Sequence, residues 1–274
     1  MVQKKSNKIL LVIIALFSAI IFLLPFYIVL INSIKTQKGF LLDVLGFPGQ
    51  YFTLGNYPEA FKKLNYISSF TNSLYITVIS VLLLLIFGSM AAWMLVRTKT
   101  KLSTFIFMMF STAMLIPFQS VMLPLVRIMG QLKLLNPAGI IFMYLGFGAP
   151  LTIMLYHGFI KSVPVEIEEA AIIDGCGKFA TFWRVVLPLL KPISVTVSIL
   201  QAMWIWNDFL LPQLTINRKE WQTIPLKMFY FFGQFAKRWD LGLAGLVLAM
   251  LPIVIFYLAM QKYIIKGVMQ GSIK

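Results

Sequence analysis

The chain has 274 residues, 59% of them hydrophobic and 12% charged, with a formal net charge of +15 and a mean hydropathy of +0.87. A soluble domain carries about 25% charged residues, so an ordinary soluble enzyme is excluded and an integral membrane protein is indicated. Lys and Arg cluster at the ends of apolar runs, where lipid headgroups and orientation rules account for them without nucleic acid, and the single Cys176 excludes an intrachain disulfide or a CxxC site.

Lys4, Lys5 and Lys8 precede an apolar run over 9–31. That run is too long for the core of a secretory signal and lacks a small-x-small cleavage site, so it reads as a retained first span. Further runs of about 20 apolar residues, enough to cross a bilayer, cover 70–96, 102–129, 138–160, 192–211 and 241–263. Runs of this length exclude barrel strands and leave helices as the way to satisfy the backbone in lipid. The expected fold is an all-α integral membrane bundle of six transmembrane helices. Pro25, Pro117, Pro124, Pro150 and Pro252 interrupt most spans. Each removes a backbone donor and bends its helix, either as ordinary irregularity or to open a cavity and let the bundle rock.

Orientation follows from the short loops. Arg97, Lys99 and Lys101 fill the connection after the second span, whereas the one after the third offers only Lys133. With Lys4, Lys5 and Lys8 at the start and Lys262, Lys266 and Lys274 at the end, both termini are expected in the cytoplasm. The loop after the fourth span, with Lys161, Lys178, Arg184 and Lys191, then falls on the same side. The longer segments 32–69 and 212–240 fall outside, and their lysines and arginines leave only a small inside excess overall.

The cytoplasmic loop over about 162–190 has its own grammar. Ser162 can cap, Pro164 suits a first helical turn, and Glu166, Glu168 and Glu169 complement the dipole of a helix that Asp174-Gly175 ends. A second helix carries Phe179, Phe182 and Trp183 before Pro188 and Pro192 turn the chain back to the membrane. Ala170 and Ala171 leave a shallow face, and the aromatic residues are larger than a surface loop needs. From the residues alone, either an amphipathic loop on the inner leaflet or a docking face for a partner would serve.

The spacing decides between them. Glu169-Ala170-Ala171 is followed by three residues, Gly175, nine residues, and then Val185-Val186-Leu187-Pro188. This resembles the EAA loop of binding-protein-dependent ABC-transporter permeases, with Val185 in a slot commonly held by Ile. The resemblance implies the type I ABC importer permease fold over 1–274, a single transmembrane domain with the first span and outer segment at 1–69 and the core at 70–274. It makes the loop a coupling helix that fits a groove on a separate ATPase. The residues carried over to that contact are Glu169, Ala170, Ala171, Asp174, Gly175, Phe179, Trp183, Leu187 and Pro188, with Glu169 expected to fix the loop through hydrogen bonds.

Other segments extend the resemblance over about 65–274. Asn72-Ser73-Leu74 opens the second span, Met114-Leu115-Ile116-Pro117 and Pro124-Leu125 mark the third, and Leu134-Leu135-Asn136 leads into the fourth. Trp206-Asn207-Asp208-Phe209 sits late in the fifth, and Tyr263-Ile264-Ile265-Lys266-Gly267 with Gly271 closes the chain. Together they are similar to the carbohydrate-uptake, maltose-type branch and to its shorter permease. That branch implies a second permease in a heterodimer, two copies of an ATPase, an extracytoplasmic solute-binding protein and a multi-pass place in the cell membrane. A non-sugar solute such as glycerol phosphate is an alternative within the branch.

Gly175-Cys176-Gly177-Lys178 lacks the spacing and the Ser/Thr of a phosphate loop, so ATP and Mg are expected on the partner ATPase, with no cofactor or metal on this chain and no enzymatic activity of its own. A membrane-embedded enzyme would need converging catalytic groups, and His157 and Asp208 are expected at opposite faces. A self-contained secondary transporter would need intramembrane ionisable groups and an internal repeat, and neither is evident.

Asn72, Trp204, Trp206, Asn207 and Asp208 are candidates for the substrate pathway, since sugars are held by aromatic stacking and planar hydrogen-bonding groups. An interfacial aromatic belt with Asp208 in the headgroup zone, or Asp208 bound to a neighbouring helix, accounts for the same residues. His157 could relay a proton, but no acidic residue stands one turn away, and a packing role is the simpler reading. Trp221, Phe231 and Phe232 in the outer segment 212–240 either dock the binding protein or pack their own loop. Gly242, Ala244 and Gly245 are expected to let the sixth span approach another helix closely.

Overall fold

The computed structural model describes residues 5–234 and 238–272, with side chains over 10–233 and 238–261. Lys4, Lys237 and Lys274 lie outside the described residues, as do the side chains of Lys5, Lys8, Lys262, Lys266 and the 263–271 signature. The described chain is mostly helical, and its only β feature among those residues is the isolated antiparallel bridge Lys35–Phe52. In chain order the helices are α1 (Lys5–Ser33), α2 (Gln37–Leu42), α3 (Asn56–Lys63), α4 (Tyr66–Arg97), α5 (Lys101–Ala113), α6 (Phe118–Gln131), α7 (Pro137–Ile160), α8 (Glu166–Ile173), α9 (Lys178–Thr181), α10 (Leu187–Leu189), α11 (Lys191–Asn207), α12 (Leu210–Thr215), α13 (Ile224–Gln234) and α14 (Trp239–Ser272).

Four helices are long and apolar enough to cross a membrane alone: Leu10–Ser33, Tyr66–Arg97, Pro137–Ile160 and Trp239–Gln261. Two more passes exist if each bent pair counts as one, Lys101–Ala113 with Phe118–Gln131 at 103° and Lys178–Leu189 with Lys191–Asn207 at 76°. The third expected span is therefore not a straight helix. Pro117 has an extended backbone at ψ 140°, and the residue before a proline is pushed away from helical geometry. At 13 and 14 residues, α5 and α6 are each roughly 20 Å long, short of the ~30 Å hydrocarbon core.

The chain forms two compact units, one of residues up to 66 with 227–252, the other of 67–226 with the residues from 253 onward. In the first unit, none of the most apolar window of α1 is buried. The segment after it is organised by buried polar side chains. Asn32 Nδ2 donates to the Ile28 and Val44 carbonyls at 2.7 and 2.8 Å, Lys35 Nζ donates to the Asp43 carbonyl at 2.7 Å, and Asn56 Nδ2 donates to the Ser33 and Lys35 carbonyls at 2.9 and 2.8 Å. These donors satisfy carbonyls of a connection that has little regular structure of its own. In the same unit Gly242 permits a close approach, since a Cβ there would lie 2.6 Å from Phe232 Cε1.

The second unit carries the main core. Along α4 the buried residues Ser73, Ile76, Thr77, Ser80, Val81, Leu84, Gly88 and Ala92 recur at three- and four-residue intervals, a stripe of mostly small side chains that lets helices pack closely. It meets α7 at Gly88, where an added Cβ would collide with the Thr152 methyl. On the other side α7 is tied to α11 at two heights. Gln201 Nε2 donates to the Gly148 carbonyl and to Thr152 Oγ1, both at 3.0 Å, and the Tyr156 and Ser194 hydroxyls share a bond of 2.7 Å. One apolar cluster around Ile140, Tyr144 and Leu226 and another around Tyr156, Ile160 and Phe182 fill the space between these helices.

Candidate functional site

The second cluster continues into the segment between α7 and α11. Lys161 caps the C-terminus of α7, and α8 runs Glu166–Ile173 with Glu166, Glu168 and Glu169 in its first turn, where they meet the positive end of the helix dipole. Ser162 does not cap α8; its hydroxyl donates back to the Phe159 carbonyl at 2.7 Å, and Val165 stands at the N-cap without a side-chain bond. The other end follows the sequence closely. Gly175 has φ +88°, Gly175 N–H reaches the Ile172 carbonyl at 3.0 Å, and Cys176 N–H reaches the Ala171 carbonyl at 2.9 Å. That pair of bonds is the Schellman arrangement that closes a helix through a left-handed glycine.

A second element follows: α9, a single π turn over Phe182–Val186, then α10. Pro188 supplies the reason for the π turn. Its ring would press on the carbonyl four residues back and it has no N–H to offer, and a widened turn accommodates both faults.

Glu168 fixes the whole segment. It is only 5% exposed. Its Oε2 accepts from Trp93 Nε1 at 2.8 Å, and its Oε1 accepts from Arg97 Nε and Nη2 at 3.0 and 2.7 Å. Arg97 Nη2 also donates to the Val163 carbonyl at 3.0 Å, so one guanidinium at the end of α4 holds both the approach to α8 and its first turn. The hydrogen-bonding role expected of Glu169 falls to this neighbour, whereas Glu169 is exposed. Glu166, Glu168 and Glu169 look alike in sequence, and only the face turned toward α4 separates them.

With Glu168 turned inward, the opposite side of the segment is bare. Ala170, Asp174 and Gly175 are exposed and Ala171 partly so, while Ile173 is 85% and Phe179 68% exposed. Trp183 is half-buried, 6.0 Å from the Phe179 ring and 5.5 Å from Phe182, and Leu187 is partly buried beside an exposed Pro188. The apolar cap is carried on a braced base, since Phe182 is buried and lies 5.4 Å from the Trp93 ring. Beside α8 opens a groove of about 960 Å³ lined by Trp93, Arg97, Lys99, Lys161, Pro164 and Lys178 among others.

Of the five substrate-pathway candidates, Trp204 and Asp208 meet at Tyr144, and the other three have separate partners. Asn72 spends its amide on the Glu220 and Gln222 carbonyls at 2.6 and 3.2 Å. Trp206 is 6% exposed and set edge-on to Phe70 at 5.8 Å. Asp208 accepts from the Tyr144 hydroxyl at 2.9 Å and from Leu210 N–H at 3.0 Å, which ties it to α7 and to the start of α12. Trp204, 42% exposed and edge-on to Tyr144 at 5.4 Å, and Asn207, which donates to the Met203 carbonyl at 2.7 Å, keep accessible surface. His157 stacks on Phe107 with ring centres 3.7 Å apart. In the segment after α12, Trp221 lies under the Arg218 guanidinium at 4.7 Å and Phe231 is buried, while Phe232 is partly exposed.

The chain is similar to known transport proteins. The chain is 46% identical over 268 residues, covering 98% of it and 97% of its relative, to a probable starch degradation products transport system permease protein of Thermoanaerobacterium thermosulfurigenes. It is 39% identical to a melibiose/raffinose/stachyose import permease protein of Bacillus subtilis, covering 99% of this chain and 98% of that one. It is 35% identical to a multiple sugar-binding transport system permease protein of Streptococcus mutans, covering 93% of each. In fold it matches a chain of a bacterial ABC transporter involved in the import of the acidic polysaccharide alginate, with a TM-score of 0.79 at 23% identity over 96% of this chain and 99% of that one. A family model described as the binding-protein-dependent transport system inner membrane component covers residues 84–270. The chain therefore belongs to the family of inner membrane components of binding-protein-dependent transport systems.

Proposed function

We propose that this chain is a permease subunit of an ABC importer for oligosaccharides, lining a translocation path with a second permease and driven through α8 by a separate ATPase. The observation that carries the proposal is the asymmetry of α8. One face is locked to α4 through Glu168 and Arg97, while the other presents Ala170, Ile173 and Phe179 with no covering element among the described residues. A handle built this way passes a push on its free face into the spanning helices rather than absorbing it. Buried apolar anchors dominate interface energies, so Ile173 and Phe179 would be the anchors of the ATPase contact.

In this reading six passes, the third broken at Pro117 and the fifth formed by α11, put both termini and α8 on the cytoplasmic side. ATP and Mg are bound by two copies of the ATPase, whose closure draws the coupling helices together and turns the path outward to meet an extracytoplasmic binding protein. The saccharide transport named for each relative supports a sugar as cargo. Among the pathway candidates, Trp204 and Asn207 keep free surface for it, while Asn72, Trp206 and Asp208 would shape the wall that carries them.

The test is reconstitution of the chain with its co-expressed partner permease, ATPase and binding protein in proteoliposomes. ATP-dependent uptake of an oligosaccharide, lost when residues 166–175 are deleted, is the expected result. Uptake that persists without ATPase or after the deletion would overturn the proposal.

A further inference from the structure

The groove beside α8 combines an apolar wall with a charged rim. Its walls include the apolar Trp93, Val96, Val163 and Pro164, and its lining holds Arg97, Lys99, Lys161 and Lys178 against Glu166, Glu168 and Glu169. Arg97 and Glu168 neutralise one another. Lys99, Lys161 and Lys178 are exposed, and none has an ion-pair partner among the described residues. Glu166 and Glu169 are exposed and likewise unpaired among those residues on the same lining, so the rim holds three cations against two carboxylates, a net positive charge. Lys99 follows α4 by two positions and Lys161 caps α7. Both ammonium groups therefore emerge where helices long enough to span come to an end, the level at which lipid headgroups lie.

We propose that this groove is a site for the headgroup of an anionic phospholipid. The phosphate sits among Lys99, Lys161 and Lys178, and the glycerol and first acyl carbons lie against Trp93 and Pro164. A free phosphate would use the cationic rim and leave the apolar wall idle; a lipid uses both. Basic pockets at the ends of spanning helices take anionic headgroups on these grounds. The same lipid touches α4, α7 and α8, so it wedges the handle against its support. This inference rests only on α4 and α7 crossing a membrane, and it stands or falls apart from the identity of the cargo.

The experiment is native mass spectrometry of the full-length chain, with its co-purified partners, titrated with phosphatidylglycerol or phosphatidylcholine in detergent. Phosphatidylglycerol is expected to bind in preference to phosphatidylcholine, and each lysine removed in a K99Q/K161Q/K178Q series is expected to weaken it about fivefold. The K99R/K161R/K178R variant is expected to keep it. Equal binding of the two lipids, or an unchanged affinity in the triple Gln variant, overturns the site. Displacement of the lipid by an equal concentration of inorganic phosphate or glycerol 3-phosphate would assign the rim to a free anion instead, and protection of Lys161 from amine labelling by the ATPase alone would assign it to the protein partner.

Discussion

Arg97 and Glu168 stand 71 positions apart in the chain, and both the Nε and the Nη2 of the arginine reach the same carboxylate oxygen, at 3.0 and 2.7 Å. A two-pronged contact of this kind fixes direction as well as distance. Because the glutamate is nearly buried, what matters is the state left behind when one partner goes. Arg97→Met strands a carboxylate with Trp93 alone, which costs about 3 kcal/mol where a buried pair is broken. Glu168→Gln keeps the one oxygen that both prongs use and turns an NH2 toward the Trp93 N–H instead of an acceptor, which should cost roughly 1 kcal/mol. Hydrogen exchange over 163–176 in nanodiscs should rise strongly in the first variant and slightly in the second. If both exchange like the parent chain, the brace is ornamental.

Gly175 is a different sort of weak point. Its φ is +88° and an added Cβ would meet nothing within 4 Å, so any penalty there comes from the backbone and not from crowding. Gly175→Ala should cost about 1–2 kcal/mol, and Gly175→Asn less, since Asn tolerates the left-handed region better than Ala. The readout is recovery of co-expressed ATPase on affinity purification, expected to fall in the order Gly, Asn, Ala. An alanine variant that recovers more ATPase than the asparagine variant would rule out the conformational explanation.

Steric cost can be isolated at Gly88. Its added Cβ collides with Thr152 Cγ2, whereas Gly146 on α7 has open space around it. Overpacking a close helix contact costs about 1–3 kcal/mol, so Gly88→Ala should lower the thermal midpoint while Gly146→Ala leaves it nearly unchanged. Thr152→Ser deletes the offending methyl and keeps the hydroxyl that accepts from Gln201. The double variant Gly88→Ala/Thr152→Ser should therefore recover most of the loss, and a strictly additive outcome would point to some other source of the damage.

Much of this architecture was legible because it depends on local rules. Apolar runs mark the four unbroken spanning helices, and the acidic first turn and Gly175 bound α8 to within a few residues. The close approach expected of Gly242 also appears, against Phe232. What sequence could not supply depends on partners far along the chain. Glu168 differs from Glu166 and Glu169 only by facing an arginine on α4. Asp208 is joined to a tyrosine 64 positions earlier, a relation that no period in α11 announces. Pro117 and Pro188 signal disturbed helices, but neither proline states the size of the disturbance, 103° at the first break and a single π turn before the second proline.

Gln201 separates the worth of a polar contact from the cost of a stranded charge. Its amide nitrogen donates to Gly148 and Thr152 at 3.0 Å each, while its Oε1 is buried without a partner. Hydrogen bonds between spanning helices average about 0.6 kcal/mol, and removing the side chain also removes an unsatisfied acceptor, so the two effects oppose one another. Gln201→Met, close in volume, should lie within about 1 kcal/mol of the parent chain. Gln201→Glu, in contrast, puts a buried carboxyl beside the Gly148 carbonyl, a change worth several kcal/mol unless the group stays protonated. Thermal unfolding in the same detergent should then rank the glutamate variant well below the methionine one. A methionine variant as damaged as the glutamate would mean that the hydrogen bonds themselves hold α7 to α11.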